Sequence, residues 1–423
     1  MELMFFDMQR KSQHKKQFAL LAIDPHSDFA RRLLYFAHNT DKERLVYISS
    51  SINREANTSD TYTCIVNPFE SEDKSEEMKN ILTAELTESI AELLSDTAHN
   101  LTVQMTALLR PCIHTVLGSK DPSMETLARF FLDKDNQNEH LINLGKKSVI
   151  PQYRTFFTHD WFSTEYTLTK RSIRTKLFYF LADPILSNML CGRSTISIEK
   201  SLNEGKVIIV SLPKGSGKFT SSVFSRLLIA YVHAIMLRRD AIDPKLRKQC
   251  YMFLDEFQTM ITGSLASSLS ETRKYGLSMV LATQSLKQIE STTLRKTVMV
   301  NTGIKMVSLT DHEDKVTFAK EFGVPTDTLN KLQPLQFIVK KNDGKHKAFT
   351  FRVPILARRY FLSKAERKKL LEHIVYKTGM YIKVTTPPAP PLPSQPKPDT
   401  KKKYTKTTKT KDNPFDENLD PAF

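Results

Sequence analysis

Residues 251–256 read Tyr-Met-Phe-Leu-Asp-Glu, four largely apolar residues followed at once by two carboxylates. A short apolar run that ends in polar residues is typical of a strand buried inside a parallel sheet. In open α/β sheets, ligands bind at the edge formed by the carboxyl ends of the strands. Asp255 and Glu256 are therefore expected at the functional edge of an α/β domain. The alternative is that the pair only forms the acidic start of the next helix.

Strand and helix patterns alternate on both sides of this segment. The apolar runs predict strands at 18–24, 45–48, 207–212, 251–254, 278–282 and 304–309, and helices at 1–16, 29–37, 223–239, 264–275 and 313–322. Pro25 cannot continue a central strand, so the first strand must stop at Asp24. Continuous apolar strands separated by helices predict a parallel sheet covered on both faces. Weaker patterns predict an edge hairpin at 336–340 and 345–353, and a basic helix at 362–376.

Composition changes along the chain predict its domain organisation. From residue 76 to residue 190 glycine nearly vanishes and apolar residues recur every three or four positions, which predicts an all-helical segment. From Pro387 the chain is rich in proline and then in lysine and threonine, which predicts disorder. The predicted units are an α/β domain in two parts (1–75 and 196–355), an inserted all-α domain (76–195), a basic helical region (356–386) and a disordered tail (387–423).

The overall composition excludes several classes of protein. With 423 residues, 40% of them apolar and 26% charged, the chain can bury a core, which excludes collagen-like and wholly disordered proteins. Its four cysteines are single and widely spaced, which excludes a zinc ribbon and a disulfide scaffold and suits a reducing compartment. The most apolar region, 223–237, is interrupted by Arg226 and His233, so no membrane span is predicted. The chain is expected to be cytoplasmic, either free or peripheral at the cytoplasmic face of the inner membrane.

The charge of the chain indicates a polyanionic partner. It carries 62 Lys and Arg against 46 Asp and Glu, a formal net charge of +16. The tail from Pro387 holds seven Lys and five acidic residues, a net charge of +2, so about +14 belongs to the rest of the chain. A basic folded body favours nucleic acid or an anionic membrane face as a partner. A generally basic proteome would give the same charge without such a partner.

Polar residues at and near the predicted strand ends suggest phosphoryl-transfer chemistry. Such a site needs a carboxylate that holds Mg²⁺ and a second group that positions the attacking water, roles that suit Asp255 and Glu256. Gln284 ends the adjacent predicted strand, where an amide would sense a γ-phosphate. Arg273 ends the helix between them and is a candidate for contact with a neighbouring subunit's phosphate; the alternative is a solvated surface charge. His26 and His38 lack metal-ligand spacing and are expected to be structural or solvated.

The run from Leu254 to Gly323, which begins LDEFQTM and includes LSETRKYGLSMVLATQSLKQI and VNTGIKMVSLTDHEDKVTFAKEFG, resembles the HerA/FtsK-like DNA-pumping ATPases. The resemblance is greatest to type IV secretion coupling proteins of the TraD/TraG kind. The element AIDPHSDFARRLL is similar to a family motif that follows the phosphate loop, with Ser27 where glycine is usual. The resemblance covers residues 1–355 and implies a RecA-like P-loop NTPase fold that binds ATP and Mg²⁺ and assembles as a hexameric ring around DNA.

The resemblance also implies a role for each site residue. Asp255 and Glu256 would be the Walker B pair, with Asp255 holding Mg²⁺ directly or through water. Gln284 would be the sensor, Arg273 a finger acting across a subunit interface, and Asp24 part of the nucleotide site.

One part of the family pattern does not occur in the sequence. The phosphate loop, G-x-x-x-x-G-K-[ST], is expected just before the helix that precedes Asp24, and Met1 already lies within that helix. The nearest candidate, Lys214–Phe219, has Leu212 in place of the first glycine and Phe219 in place of the Ser or Thr. Backbone amides and a lysine normally hold the phosphates at this position.

Three functions are compatible with these features. The first is a DNA-translocating motor subunit, truncated or split, that works with secretion-machine or relaxase partners. The second is a catalytically silent DNA-binding or ring-scaffold subunit. The third is a basic domain that docks on the membrane face of a secretion machine.

Overall fold

The computed structural model describes residues 1–15, 18–36, 44–94, 103–132, 138–212, 218–355 and 362–384. Residues 1–384 form one compact unit. The strands are β1 (Phe18–Asp24), β2 (Leu45–Ser49), β3 (Tyr62–Thr63), β4 (Val207–Ser211), β5 (Gln249–Leu254), β6 (Leu277–Leu281), β7 (Ile304–Val307), β8 (Gln336–Lys341), β9 (Phe349–Arg352) and β10 (Ile382–Lys383). The α-helices are α1 (Glu2–Lys15), α2 (Asp28–Tyr35), α3 (Ile52–Ala56), α4 (Glu76–Leu94), α5 (Val103–Leu117), α6 (Met124–Phe130), α7 (Glu139–Gly145), α8 (Pro151–Thr158), α9 (Thr167–Leu181), α10 (Pro184–Leu190), α11 (Ile198–Asn203), α12 (Lys218–Arg238), α13 (Gly263–Glu271), α14 (Thr292–Asn301), α15 (His312–Phe322), α16 (Thr326–Asn330) and α17 (Lys364–Lys377).

The main sheet has five strands in the order β2-β4-β1-β5-β6, and each neighbouring pair is parallel. This arrangement confirms the predicted α/β class. β1 lies at the centre, with Leu20 beside Val207 of β4 and Tyr251 of β5. Because the strands are parallel, all five carboxyl ends meet at one edge of the sheet. That edge brings Asp24, at the end of β1, next to Asp255, which follows β5, while the residues that follow β6 lie one strand further along the edge.

Helices cover the sheet and continue its apolar core. On α1, Phe5 packs edge to face against Phe253 of β5, with ring centroids 5.2 Å apart. Residues 219–241, most of them in α12, form a segment long and apolar enough to cross a membrane, but 83% of its apolar window is buried inside the molecule. The core helix of a soluble protein has the same features, and it is the one such helix among the described residues.

The described part of the segment between Glu76 and Leu190 is helical throughout, with 3₁₀ turns between some helices, as the periodicity predicts. Its first helix, α4, lies along α12, where Glu85 Oε2 lies 2.8 Å from His233 Nδ1 in a buried pair. A cluster of aromatic rings around Trp161 fills the core of α6, α8 and the turn that follows. Because residues 1–384 form one compact unit, the domain boundaries at 75, 195, 355 and 386 stay predictions. The predicted tail, 387–423, lies outside the described residues.

The position of β7 differs from the prediction. β7 was expected to be covered on both faces, but it pairs antiparallel with β8 in a separate sheet of order β7-β8-β9. Val307 is buried against α15, while Ile304 and Met306 on the opposite face are 62% and 40% exposed. The run is apolar, but only alternate residues reach a core. The predicted hairpin is present as β8 and β9.

Candidate active site at the carboxyl edge of the sheet

The chain turns sharply where β5 ends. The backbone amide of Asp255 donates to the carbonyl of Ile23 in β1, and the amide of Phe257 donates to the carbonyl of Ala282 beside β6. Between them, Glu256 has a φ of +47°, in the left-handed region that a residue with a Cβ rarely adopts. Strained backbone of this kind is concentrated at functional sites, where the surrounding structure holds it in place. The turn fixes Glu256 at the carboxyl edge, between β1 and β6.

Glu256 and Gln284 are in direct contact. The carboxylate of Glu256 is almost fully buried, with 9% of the residue exposed. Gln284 Nε2 donates a hydrogen bond to Glu256 Oε1, and Gln258 Nε2 donates one to Glu256 Oε2. The structure therefore brings together two residues that the sequence placed at neighbouring strand ends. Two amide donors orient the carboxylate and leave it only partly accessible.

Asp255 has a raised pKa, about 6 against an ordinary value of 3.8. Burial is the largest cause, and the negative charges of Asp24 and Glu256 add to it. Burial disfavours the charged form of an acid, and so does each nearby carboxylate. A cation or a hydrogen-bond donor at this position would be favoured electrostatically, because it would relieve the repulsion.

Asp24 is fully buried and its carboxylate is already occupied by backbone amides. Its Oδ1 accepts from the amide of His26 at 2.7 Å, and its Oδ2 accepts from the amide of Ala30 at 2.9 Å. The intervening Ser27 has a φ of +65°, a conformation that glycine adopts without strain. Asp24 therefore holds the turn into α2, and its influence on the site is the charge that raises the pKa of Asp255.

The amino end of α1 lies near the same carboxylates. Burial is the largest effect on the Met1 α-amino group and lowers its pKa, while Glu2 and Asp255 act to raise it. The first turn of a helix carries backbone N–H groups without intrahelical partners, so it favours negative charge. The edge therefore presents a helix amino end beside a carboxylate cluster.

Arg273 does not join this group. It lies in the 3₁₀ turn Thr272–Tyr275, immediately before β6, and it is exposed. Gln284 lies beyond the other end of β6, so Arg273 is at the amino edge of the sheet, on the opposite side from Glu256. Within one chain the two residues are separated by the length of the strand.

Sequence reasoning missed the amides that support the site. Gln258 also donates to Gln288 Oε1 at 2.8 Å, and Thr283 Oγ1 lies 3.4 Å from the same oxygen. Glutamines in a loop have no periodic pattern, and the only sequence signal was their closeness to Glu256 and Gln284. The Lys214–Phe219 candidate lies largely outside the described residues, as does His38.

The described residues contain no group of three or more His, Cys, Asp or Glu side chains that could hold a metal ion by themselves. Mg²⁺ does not require such a group, because it is usually bound by one or two carboxylates together with substrate phosphates and water. Asp255 fits the carboxylate part of such a site. The G-x-x-x-x-G-K-[ST] loop that would hold the phosphates does not occur within residues 1–423.

Residues 249–334 match a protein family described as the TraM recognition site of TraD and TraG. The matched range begins with β5 and contains Asp255, Glu256, Arg273 and Gln284. No curated protein matches the sequence significantly.

Solved structures show the same fold. The plasmid coupling protein TrwB, in complex with a non-hydrolysable GTP analogue, is 16% identical, covers 84% of this chain and 83% of its own, and gives a TM-score of 0.56. TrwB with ADP and Mg²⁺ gives a TM-score of 0.57 at 16% identity, covering 84% of this chain and 82% of its own. VirB4 of Thermoanaerobacter pseudethanolicus is 12% identical, covers 82% of this chain and 85% of its own, and gives a TM-score of 0.54. These likenesses confirm the predicted RecA-like architecture.

Proposed function

Because the chain is TraD/TraG-like in residues 249–334 and has the fold of a conjugative coupling protein, we propose that it is a motor subunit of a type IV secretion or conjugation system, coupling ATP hydrolysis to DNA transport. The observation that carries this proposal is the contact between Glu256 and Gln284 beside Asp255. The three polar groups meet at the carboxyl edge of a parallel sheet, where α/β proteins bind ligands.

Each residue has a distinct role in this proposal. When bound, ATP with Mg²⁺ supplies the phosphoryl group and the neutralising cation. Asp255 would help to hold the cation, directly or through water. Glu256, oriented by Gln284 and Gln258, accepts a hydrogen bond from a water molecule and fixes its position. In phosphoryl transfer such positioning and charge neutralisation supply nearly all the catalysis.

The position of Arg273 is compatible with action between subunits. An exposed guanidinium at the amino edge cannot reach Glu256 of its own chain, but it is available to a neighbouring copy. We therefore propose a homo-oligomeric ring, as in the hexameric family pattern. DNA would be bound mainly through its phosphates, consistent with the net charge of +16. Further proposed partners are a TraM-like protein at residues 249–334, a relaxase and the secretion machine, at the cytoplasmic face of the inner membrane.

Mixing two inactive variants tests whether one active site uses Glu256 of one subunit and Arg273 of its neighbour. In a version with a phosphate loop restored before α1, Arg273→Ala and Glu256→Gln are each expected to hydrolyse no ATP, while Glu256→Gln still binds it. Mixed rings should regain part of the activity where an intact Arg273 faces an intact Glu256. An arginine finger contributes about 10³ to 10⁵ in turnover, so even sparse competent interfaces are measurable. Near-normal turnover of Arg273→Ala would show that Arg273 is a surface charge and does not act across the subunit interface.

The second candidate function is a catalytically silent DNA-binding or ring-scaffold subunit. The net charge of +16 favours it, because binding to DNA phosphates does not require ATP hydrolysis. It predicts DNA binding and ring formation that nucleotide does not alter. The restored version separates the candidates, because a silent subunit gains no ATPase activity when a loop is supplied.

A further inference from the structure

The turn that carries Arg273 is held by a second arginine. Arg247 lies in the loop between α12 and β5, and its guanidinium donates hydrogen bonds to three backbone carbonyls. Nη1 donates to the carbonyl of Lys274 at 2.7 Å, Nε to that of Ile242 at 2.8 Å, and Nη2 to that of Asp240 at 3.2 Å. One side chain therefore joins the loop before β5 to the turn before β6, directly beside Arg273.

The same guanidinium packs against an aromatic ring of the turn. Arg247 Cζ lies 5.4 Å from the centre of the Tyr275 ring, a distance typical of a cation–π contact. Tyr275 is 7% exposed, so the core fixes its ring. Arg247 itself is only partly exposed. Its position is therefore determined by a buried ring as well as by three carbonyls.

A buried arginine holds the end of the same turn. Arg239 Nη1 donates to the carbonyl of Lys248 at 2.7 Å and to that of Tyr275 at 3.4 Å. Gly276 follows with a φ of +85°, and a Cβ at this position would lie 3.2 Å from the carbonyl oxygen of Lys248. Close packing and Arg239 therefore fix the residues that enter β6, whereas Arg247 holds the carbonyl next to Arg273.

This set of contacts requires an arginine. A guanidinium is planar and always charged, and it presents five N–H donors in a fixed fork, so it can bond several carbonyls in one geometry. A lysine ammonium offers all its donors from a single atom at the end of a flexible stem. A lysine at position 247 could not join the same carbonyls of two separate segments at these distances.

We propose that Arg247 is a positioning residue for Arg273, because it fixes the turn Thr272–Tyr275 at the amino edge of the sheet. This role rests on the proposed function, in which Arg273 acts on a phosphate bound by a neighbouring subunit. A displacement of about 1 Å at a catalytic group can lower turnover by about 10²-fold, so a turn that moves freely would weaken the contribution of Arg273. Arg247 acts only through the turn, since its donors are directed at backbone carbonyls.

Hydrogen exchange of the 423-residue chain tests the positioning without any nucleotide. Arg247→Met keeps an apolar stem and removes the guanidinium. We expect the amide of Gly276, which donates to the carbonyl of Arg273 at 3.2 Å, to exchange at least about tenfold faster than in the parent. The amide of Ala282, bonded to β5 at the other end of β6, should be unchanged. Lys245→Met, at an exposed lysine of the same loop, removes an equal charge and should alter neither amide.

Two results of the exchange experiment would overturn the proposal. The first is an unchanged rate at Gly276 in Arg247→Met, which would show that the turn does not need the guanidinium. The second is an equal acceleration at Gly276 and Ala282, which would show that Arg247 supports the whole sheet rather than the turn.

Kinetics of the version with a phosphate loop separate positioning from a merely structural role. Arg247→Met should lower kcat about 10- to 100-fold and leave the KM for ATP unchanged, because an arginine finger acts in the transition state. Lys245→Met should keep the kcat of the parent. Arg247→Lys should resemble Arg247→Met, because one ammonium cannot replace the fork.

Mixed rings show which subunit is affected by the loss of Arg247. Arg247→Met should regain activity with Glu256→Gln, whose subunits supply an intact turn, and should gain none with Arg273→Ala. A gain with Arg273→Ala, or a loss that Glu256→Gln does not repair, would overturn the proposal. Failure of the proposed function gives a different result, because the parent with the loop then shows no turnover, while exchange at Gly276 still reports whether Arg247 fixes the turn.

Discussion

Two other carboxyl groups lie near Asp255, and the raised pKa of Asp255 has a cost in stability. Between pH 4 and pH 6 the folded chain keeps a proton that the unfolded chain has already released, because the folded pKa is about 6 and the ordinary value is 3.8. Stability therefore falls as pH rises through this window, and the penalty persists above pH 6. Asp255→Asn removes the penalty.

We expect Asp255→Asn to melt a few degrees above the parent at pH 7.5, with the difference shrinking towards pH 4. Thermal unfolding followed by circular dichroism at both pH values measures it. Asp240→Asn, at an exposed site on the other edge of the sheet, is the matched control and should show no such trend. An Asp255→Asn variant whose melting temperature is below that of the parent at pH 7.5 would show that the carboxylate is not under repulsion.

For individual residues, the sequence predicted which side chains lie at the carboxyl edge of the sheet better than it predicted their hydrogen-bond partners. Asp255, Glu256 and Gln284 follow apolar strands, and the shared edge of a parallel sheet brings them together. The role of Gln258 could not be predicted, because it depends on the positive φ of Glu256, which turns the loop back towards the site. The role of Asp24 in the nucleotide site stays a prediction. The sequence did not indicate that its oxygens accept hydrogen bonds from two backbone amides, a contact that the Pro25 turn creates.

At the scale of elements, Tyr381 is the residue that closes the β2 edge. Tyr381→Phe leaves the buried carbonyl of Tyr47 and the buried amide of Ser49 without this partner. Leaving a buried backbone group unsatisfied costs about 1–3 kcal/mol, so for the two groups together we expect the free energy of unfolding to fall by about 2–6 kcal/mol. Urea titration measures the loss. Tyr376→Phe, at a half-exposed tyrosine, is the control and should change the free energy little. Equal stability of the two variants would mean that water replaces the hydroxyl at β2.

Long apolar strands and amphipathic helices were predictable, and elements stabilised by distant partners were not. β3 and β10 have two residues each and pair across more than 300 positions, so no local pattern indicates them. α14, Thr-Thr-Leu-Arg-Lys-Thr-Val-Met-Val-Asn, has β-branched residues and few apolar positions at helical spacing. The separation of β7 from the main sheet was equally hidden, because an apolar run does not show which strand it pairs with.

For the whole molecule, the proposed binding of DNA predicts a dependence on salt concentration. A basic body that contacts the phosphate backbone should bind duplexes of unrelated sequence with similar affinity. Each neutralised phosphate adds about 0.9 to the slope of log affinity against log salt concentration. Fluorescence anisotropy between 50 and 300 mM salt measures that slope, and several phosphate contacts should make it steep. A flat slope, or strong dependence on sequence, would contradict transport along the backbone.

In the proposed function, Asp255, Glu256 and Gln284 form one half of an ATPase site that needs a phosphate loop to work. The most direct measurement is phosphate release with DNA present, with nucleotide binding by calorimetry, for the 423-residue chain and for the same chain with a loop restored before α1. We expect no tight ATP binding and no useful turnover by the chain alone. With the loop restored we expect turnover on the order of 1 s⁻¹, which Glu256→Gln abolishes. Turnover of that size by the chain alone, or a restored chain that binds ATP and hydrolyses it equally well without Glu256, would contradict it.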